Sequence, residues 1–343
     1  MIDKSMRCVL IGLGKRAREG YLPALLSCPL GVKLVGICDI DPYVEQHLRN
    51  FSLEMCGEGT SIKFYTSLQG ALDELKPDFA IIASPHDTHL AIAQILIARA
   101  IPFLKEKPFA LNLTQARELA QLLARTPAFM QIGLQRRSHP LYAYGRSSLS
   151  QLGRLRHFSV TYHLNASSYT SGWRSNLDSA GGGAVIDMGY HILDQLVWYF
   201  GLPIELYASS APKLYPEKQY QVEETVSAIF RYKNGCIGNL SLSLCEPRKR
   251  EVMEVHGSHG SYILKRKSFK RYDRKGVLVE SLSRRPAWPT EVQDILAQFV
   301  ENVGDYEKVR QEVRHGISVM TLVDGIYRSV NLHKPVRVAE EDK

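Results

Sequence analysis

The fold is decided by residues 7–39, which read RCVLIGLGKRAREGYLPALLSCPLGVKLVGICD. Arg7–Ile11 is a short apolar run rich in branched side chains, and Gly12–Ala17 is a glycine-containing turn that directly follows it. A helical stretch continues to Ser27, and Val32–Cys38 is a second apolar run. The order strand, glycine turn, helix, strand predicts a βαβ unit.

The same alternation continues along the chain to about residue 135. Three further strand-like runs are Phe79–Ala83, Pro102–Leu104 and Phe129–Leu134. Helical stretches lie between them at His89–Ala100 and Thr114–Arg125. Continuous apolar runs are typical of strands buried on both faces of a parallel sheet. We therefore predict an α/β Rossmann domain with a doubly wound parallel sheet over residues 1–135.

The pattern changes beyond residue 135, where strand-like runs follow one another without intervening helices. These runs are Arg156–His163, Ile204–Ser209, Glu224–Tyr232, Cys236–Cys245, Val252–His256 and Ser261–Leu264. A hairpin turn is expected at Lys233–Gly235. The pattern predicts an α+β domain over 136–343 with a large, mostly antiparallel, open-faced sheet. We expect helices at Val185–Phe200, Glu291–Val303 and Val313–Leu332 to pack on that sheet.

The composition agrees with a two-domain globular protein. The chain has 343 residues, of which 45% are apolar and 23% charged, and both fractions are ordinary for such proteins. It contains no run of ~18 apolar residues, so we expect no membrane span. The strand pattern begins so early that no signal peptide is expected, which favours a cytoplasmic location. The six cysteines form no CxxC pair, so we expect reduced thiols and no metal site.

The net charge of +8 is concentrated in one segment, 248–285. This segment contains twelve Lys and Arg residues and four Asp and Glu residues, so its excess of positive charge equals that of the whole chain. Such a segment can bind nucleic acid or an acidic substrate. A solvated hairpin explains it equally simply, and we therefore expect no nucleic-acid partner.

The glycine turn predicts a dinucleotide site. Gly12 permits the tight turn, Gly14 lets the backbone approach a pyrophosphate, and Ala17 keeps the following helix close to the sheet. Free N–H groups at the start of that helix favour phosphate, and Lys15 and Arg16 add positive charge there.

Asp39 ends the second strand, 27 residues after Gly12. Its carboxylate can accept hydrogen bonds from ribose hydroxyls and would repel a 2′-phosphate, which favours NAD over NADP. A glycine turn in another kind of Rossmann-like protein remains an alternative.

Several motifs spread over nearly the whole chain resemble those of the Gfo/Idh/MocA family, the glucose–fructose oxidoreductase and inositol dehydrogenase group. They are Ile11–Gly14, Cys38–Pro42, Ala83–Pro85, Glu106–Pro108, Gln135–Arg137, Gly172–Arg174, Gly181–Gly183, Asp187–His191 and Asp324–Ser329. The resemblance implies an NAD(P)-dependent oxidoreductase acting on a hydroxyl or keto carbon of a sugar, inositol or related polyol. It also implies a homodimer or homotetramer in which the second domain binds substrate and forms the oligomer.

The resemblance extends the cofactor site to further positions, namely Ser84, Pro85, His86, Glu106, Lys107 and Gln135. Two positions depart from the family pattern. Lys105 stands where a small or apolar residue is usual, and His86 stands where Asn is common. Both departures put the substrate pocket in doubt more than the fold.

Hydride transfer from an alcohol needs a base for the hydroxyl proton and a charge that stabilises the developing alkoxide. His191 is the natural base because its unperturbed pKa of ~6.5 is near neutral. Asp187 lies four residues earlier, on the same face of a continuous helix. Lys107 follows a strand end of the α/β sheet, where such sheets bind ligands. The resemblance assigns all three to catalysis, although a surface lysine and a buried helix histidine with its cap partner would explain them structurally.

Substrate contacts are expected from the loop before the glycine run and from the last strand of the first domain. Trp173 can stack on a sugar face, and Arg174 can bind hydroxyls or an acid group. Arg136 follows the strand end and is expected to contact the substrate, together with Asp187 and His191.

Two other functions remain open at this point. The first is a glycoside hydrolase that uses tightly bound NAD, a chemistry known on this fold. The second is a non-catalytic NAD-sensing or nucleic-acid-binding protein, which the basic segment 248–285 would suit. The combination of Lys107, Asp187 and His191 favours the dehydrogenase.

Overall fold

The computed structural model describes residues 5–27, 31–46, 62–284 and 288–338. These residues form two compact units. The first unit comprises the described residues within 1–107, 117–135 and 287–313, and the second those within 108–116, 136–286 and 314–343. The expected boundary at residue 135 coincides with one of these divisions. A single boundary at residue 135 does not describe two further segments. Residues 108–116 belong to the second unit, and the described residues of 287–313 belong to the first.

The first unit contains a six-stranded sheet in the order β3-β2-β1-β4-β5-β6, and every neighbouring pair is parallel. The strands are β1 Met6–Ile11, β2 Val32–Cys38, β3 Lys63–Tyr65, β4 Phe79–Ile82, β5 Phe103–Glu106 and β6 Met130–Gly133. This order confirms the predicted Rossmann fold. Strands β2 and β3 are added on one side of β1, whereas β4 to β6 are added on its other side. Such sheets bind ligands where the strand order switches in this way, here at the carboxyl ends of β1 and β4.

The regular α-helices that cover this sheet are Leu22–Ser27, Leu68–Leu75, His89–Ala98, Leu113–Arg125 and Trp288–Asn302. The last of them corrects a prediction, because its buried face packs in the core of the first unit and not on the second sheet. The Phe299 ring lies 4.9 Å from the Phe79 ring and 5.4 Å from the Phe129 ring. Burying an aromatic side chain of this size contributes about 1.5–3 kcal/mol, which fixes this distant segment to the first sheet.

The second unit contains a nine-stranded sheet in the order β14-β13-β12-β11-β7-β10-β9-β8-β15. Its strands are β7 Leu155–Asn165, β8 Glu205–Ser210, β9 Thr225–Arg231, β10 Ile237–Ser243, β11 Cys245–Gly257, β12 Gly260–Lys265, β13 Ser268–Asp273, β14 Leu278–Ser283 and β15 Val336–Arg337. The pairing of β7 with β10 is parallel, and the other neighbouring strands of this sheet are antiparallel. The α+β class and the mostly antiparallel sheet are therefore confirmed.

The helices that lie wholly or mainly in the second unit are Gln135–Ser138, Pro140–Ser147, Leu177–Ala180, Tyr190–Phe200 and Tyr306–Leu332, the last of which begins in the first unit and enters the second after Val313. The helix predicted at Val185–Phe200 is present, but its first turn is π-helical. A π-helical turn, Ala184–Met188, is followed by Gly189 and then by the α-helix Tyr190–Phe200. That α-helix is apolar on nearly all sides and correspondingly buried. Its Phe200 ring stacks on Phe158 at 4.2 Å.

The basic segment 248–285 contains part of β11 and the meander β12–β14. It therefore forms several strands of the sheet and not a single hairpin. Strands β13 and β14 were not expected from the sequence. Arg271 pairs with Glu280 across them at 3.1 Å, and Arg248, Lys249 and Arg250 are exposed.

Several sequence expectations concern features that the described residues either show or lack. Cys8, Cys38, Cys236 and Cys245 carry free thiols, whereas Cys28 and Cys56 lie outside the described residues. In the described part of the chain, His, Cys, Asp and Glu side chains form no group of three or more that suits a metal ion. No helix among the described residues combines the length and apolar character needed to cross a membrane.

Candidate functional site

The glycine turn begins where β1 ends and is shaped by close packing. Gly12 has φ +88°, and a Cβ atom at this position would lie 2.7 Å from the Ser84 nitrogen. No side chain fits there, so the turn requires glycine. Beside Gly14, by contrast, no atom lies within 4 Å of the position of a Cβ. This open space fits a pyrophosphate that approaches the backbone closely.

Asp39 lies directly after β2 and holds the turn through its carboxylate. Oδ2 accepts a hydrogen bond from the Leu13 nitrogen at 2.7 Å, and Oδ1 accepts one from the Asp41 nitrogen at 3.0 Å. A carboxylate oxygen can accept a further hydrogen bond, so Asp39 can bind ribose hydroxyls while it braces the turn. The bracing role was not predicted from the sequence.

The loop after β4 contains Ser84, Pro85 and His86, and the residues that follow fix its shape. The Thr88 hydroxyl donates to the Pro85 carbonyl at 2.8 Å, and its oxygen lies 2.6 Å from Ser84 Oγ. His89 Nε2 lies 3.0 Å from the Ser84 carbonyl oxygen. Burial lowers the pKa of His89, and the nearby Lys105 adds to this effect. His89 therefore supports the loop as a neutral imidazole.

Glu106 ends β5 in a buried polar cluster. Its Oε1 accepts hydrogen bonds from Arg16 Nε at 2.6 Å and from the Tyr21 hydroxyl at 2.8 Å. The charge of Arg16, which was expected to favour phosphates, is thus largely neutralised by Glu106. Lys15 remains exposed, with its ammonium 3.9 Å from Glu19.

Two lysines flank Glu106 on the chain. Lys107 follows β5 directly, at the carboxyl edge of the sheet, as expected. Lys105 is fully buried, and its ammonium donates to the Glu106 carbonyl at 3.2 Å. Burial lowers the pKa of Lys105 to about 7, and the charge of Lys107 contributes to the lowering. Lys105 departs from the family pattern, but its burial was not predicted from the sequence.

Gln135 and Arg136 follow β6, and they behave differently. Gln135 Oε1 is buried and accepts no hydrogen bond from the residues that the structure describes, which fits a polar ligand group. Arg136 is committed to the second unit, where it pairs with Glu251 at 2.9 Å and donates to Gln195 at 3.1 Å. The guanidinium also lies 5.0 Å from the Tyr142 ring. The Arg136 charge is therefore buried and paired within the second unit, and its expected contact with substrate stays a prediction.

The second unit brings three predicted residues together. Arg174 Nε donates to Asp187 Oδ2 at 3.1 Å, and the guanidinium lies 4.2 Å from the centre of the Trp173 ring. Asp187 sits in the π-helical turn, with its side chain 17% exposed. His191 lies beyond Gly189, in the first turn of the helix Tyr190–Phe200. Asp187 and His191 thus lie on either side of Gly189, and their expected placement on one helical face stays a prediction.

Two family models match the chain. The model described as oxidoreductase family, NAD-binding Rossmann fold, matches residues 6–134, and the model described as GFO/IDH/MocA C-terminal domain matches residues 149–263. The chain belongs to the GFO/IDH/MocA family. Membership accounts for the two sheets and for the order of the motifs within them.

Relatives of known name agree with this assignment. The chain is 30% identical over 198 residues to a putative UDP-kanosamine synthase oxidoreductase subunit of Amycolatopsis mediterranei, a match covering 57% of this chain and 52% of that protein. It is 32% identical over 146 residues to the rhizopine catabolism protein MocA of Rhizobium meliloti, covering 42% of this chain and 44% of that protein. The matched stretch thus spans about half of each relative or less.

Among solved structures, levoglucosan dehydrogenase in complex with NADH and levoglucosan is similar over the full fold. The TM-score is 0.83 at 17% identity, and the match covers 98% of this chain and 100% of that chain. At this identity the similarity establishes the fold of this GFO/IDH/MocA member.

Proposed function

We propose that the chain is an NAD-dependent dehydrogenase or reductase that acts on a CH–OH group of a sugar, inositol or related polyol. The observation that carries the proposal is that one edge of the first sheet collects the required groups. Gly12, Asp39, Ser84 and Lys107 follow the carboxyl ends of β1, β2, β4 and β5, and these strands are parallel. A nucleotide turn and a candidate catalytic cation therefore share that edge.

The first unit supplies groups suited to NAD. The amides around Gly14 would receive the pyrophosphate, and Asp39 would hold the adenosine ribose. Asp39 also supports a preference for NAD over NADP, because a 2′-phosphate would meet its negative charge. The buried Gln135 Oε1 can accept a hydrogen bond from the bound nucleotide. NAD, when bound, supplies the hydride acceptor.

The residues of this chain would perform the proton chemistry. We assign His191 as the base that takes the hydroxyl proton, and Lys107 as the cation that stabilises the developing alkoxide. Asp187 would orient the substrate hydroxyl while Arg174 holds its carboxylate at 3.1 Å. Trp173 offers an aromatic face for a sugar ring. We also propose that His86, Glu106 and Lys15 belong to the cofactor-binding site.

We also propose a sugar or polyol substrate and a homo-oligomeric assembly. Similar proteins carry the names levoglucosan dehydrogenase and MocA, which supports a polyol or sugar substrate. A homodimer or homotetramer, and a cytoplasmic location, remain predictions. No described residue gives specific support to the hydrolase or sensor alternatives.

The test is a nicotinamide absorbance assay with inositols, sugars, sugar acids and phosphorylated sugars, with NAD and NADP in parallel. We expect turnover with at least one compound, and its loss in Lys107→Ala and His191→Ala. The exposed residues Lys63 and His333 supply matched controls, since Lys63→Ala and His333→Ala should keep full activity. The proposal is wrong if Lys107→Ala and His191→Ala turn over as fast as the parent chain. Leaving-group release without net cofactor reduction would support the hydrolase instead.

A further inference from the structure

The π-helical turn that carries Asp187 is held by a residue that no sequence motif indicated. Glu223, two residues before β9, accepts hydrogen bonds from the Gly183 nitrogen at its Oε2 and from the Val185 nitrogen at its Oε1, each at 2.8 Å. The Glu223 backbone carbonyl accepts from the Ala184 nitrogen, also at 2.8 Å. One residue therefore satisfies three consecutive amides at the start of the turn.

Tyr327, on the long helix Tyr306–Leu332, holds Glu223 from the other side. Its hydroxyl donates to Glu223 Oε1 at 3.0 Å. Burial raises the pKa of Tyr327, and the charges of Glu223 and Asp187 raise it further. The hydroxyl thus lies near both carboxylates. Burial also raises the pKa of Glu223, although its amide donors oppose this change.

The glycines before the turn permit this arrangement. A Cβ atom on Gly182, where φ is +143°, would lie 1.9 Å from the Tyr327 hydroxyl oxygen, and one on Gly183 would lie 2.1 Å from the Glu223 carbonyl oxygen. The backbone at Gly182 and Gly183 therefore lies against Tyr327 and Glu223 within the second unit. A turn packed this tightly leaves the backbone beneath Asp187 little freedom.

We propose that Glu223 and Tyr327 are positioning residues that fix the turn carrying Asp187, and so set the placement of its carboxylate for catalysis. The proposal rests on the function proposed above. Three hydrogen bonds donated by backbone amides fix the chain just before Asp187. The hydrogen bond from Arg174 fixes the Asp187 carboxylate itself. A residue that orients the reacting hydroxyl must be held within a fraction of an ångström, because a displacement of about 1 Å can cost about a hundredfold in rate.

The experiment compares Glu223→Gln and Tyr327→Phe with the parent chain. Glutamine can accept one of the two side-chain bonds but presents an NH2 group where the other amide donates, so it should loosen the turn. We expect kcat to fall about tenfold to a hundredfold while the Kd for NAD is unchanged. The pH profile of kcat should shift, because Asp187 would no longer lie where it acts. Tyr327→Phe keeps both hydrogen bonds from backbone amides to the Glu223 carboxylate, so its effect on kcat should be smaller and in the same direction.

Glu205→Gln is the matched control, since Glu205 lies on β8 and pairs with the partly exposed Arg231. It should leave kcat and its pH profile unchanged. Equal kcat and pH profiles in Glu223→Gln and the parent chain would overturn the positioning role while leaving the dehydrogenase proposal intact.

Amide hydrogen exchange tests the same inference independently of activity. The Gly183, Ala184 and Val185 amides should be protected in the parent chain and exchange about tenfold faster or more in Glu223→Gln. Rapid exchange in the parent chain would refute the inference. If exchange behaves as expected but no polyol is oxidised, the function proposed above fails, and Glu223 is left as a brace without a catalytic purpose.

Discussion

Replacing the buried Lys105 with methionine should stabilise the protein, and the gain should depend on pH. Lysine in the unfolded chain has its ordinary pKa of 10.5, whereas burial lowers the folded value to about 7. Between these values the unfolded chain binds more protons than the folded one, so stability rises with pH. Below the folded pKa, the protein carries the full cost of burying the charge.

The magnitude follows from the two pKa values. Linkage gives a cost of about 5 kcal/mol at pH 6, about 3 kcal/mol at pH 8 and about 2 kcal/mol at pH 9. Methionine has a similar length and no charge, so Lys105→Met should recover most of this cost. It also loses the hydrogen bond to the Glu106 carbonyl, which contributes about 1 kcal/mol. The net gain is therefore about 4 kcal/mol at pH 6 and falls steadily toward pH 9.

Urea unfolding followed by circular dichroism, at pH 6, 7, 8 and 9, measures the free energy of unfolding directly. Lys33→Met is the matched control, because Lys33 lies on β2 of the same sheet with an exposed side chain. The control should change stability little and equally at every pH. A Lys105→Met gain that does not decline between pH 6 and pH 9 would refute the reasoning, because the charge of Lys105 would then not be the source.

Two further predictions concern the site. Gly12→Ala places a Cβ 2.7 Å from the Ser84 nitrogen at φ +88°, so strain and overpacking should cost about 2–5 kcal/mol and lower the melting temperature. Gly14→Ala, which meets no atom within 4 Å, should melt like the parent chain and lose affinity for NAD in a binding titration; equal melting of both variants would contradict this. Arg174→Met removes the 3.1 Å bond to Asp187, and a charged hydrogen bond contributes about 1.5–3 kcal/mol. We expect kcat/KM in the absorbance assay to fall about tenfold to a hundredfold, and an unchanged value would exclude a role for the pair.

Much of the first unit could be predicted because its signals are local. A strand, a glycine turn and a following helix are adjacent in sequence, and Asp39 ends the next strand. The pattern therefore predicts both the βαβ unit and the edge at which a nucleotide binds. Lys107 could be placed for the same reason, since it directly follows a strand.

The predictions that failed depended on partners distant in sequence. The apolar face of Trp288–Asn302 showed that this helix is buried, but periodicity does not say which sheet it covers. The sequence places Arg136 after a strand end but does not reveal its buried partner Glu251. Glu223 and Tyr327 belong to no motif with a stated mechanism, so only the folded chain reveals that they meet. Strand β14 is largely exposed on one face, and its pattern was correspondingly weak.

The ion pair of Arg16 and Glu106 connects the two halves of the proposed chemistry within the first unit. Arg16 lies at the start of the helix that follows the glycine turn, and Glu106 immediately precedes Lys107. Their side chains are 21% and 8% exposed, so removing either charge would leave the other buried without its partner, which costs far more than a surface pair contributes. A displacement of the glycine turn would therefore be transmitted through Glu106 to the backbone of Lys107. In the proposed chemistry, the bound nucleotide and the Lys107 ammonium must both be placed against the same reacting carbon. The buried pair, whose members are 90 positions apart in sequence, would keep the nucleotide turn and Lys107 in a fixed relative position.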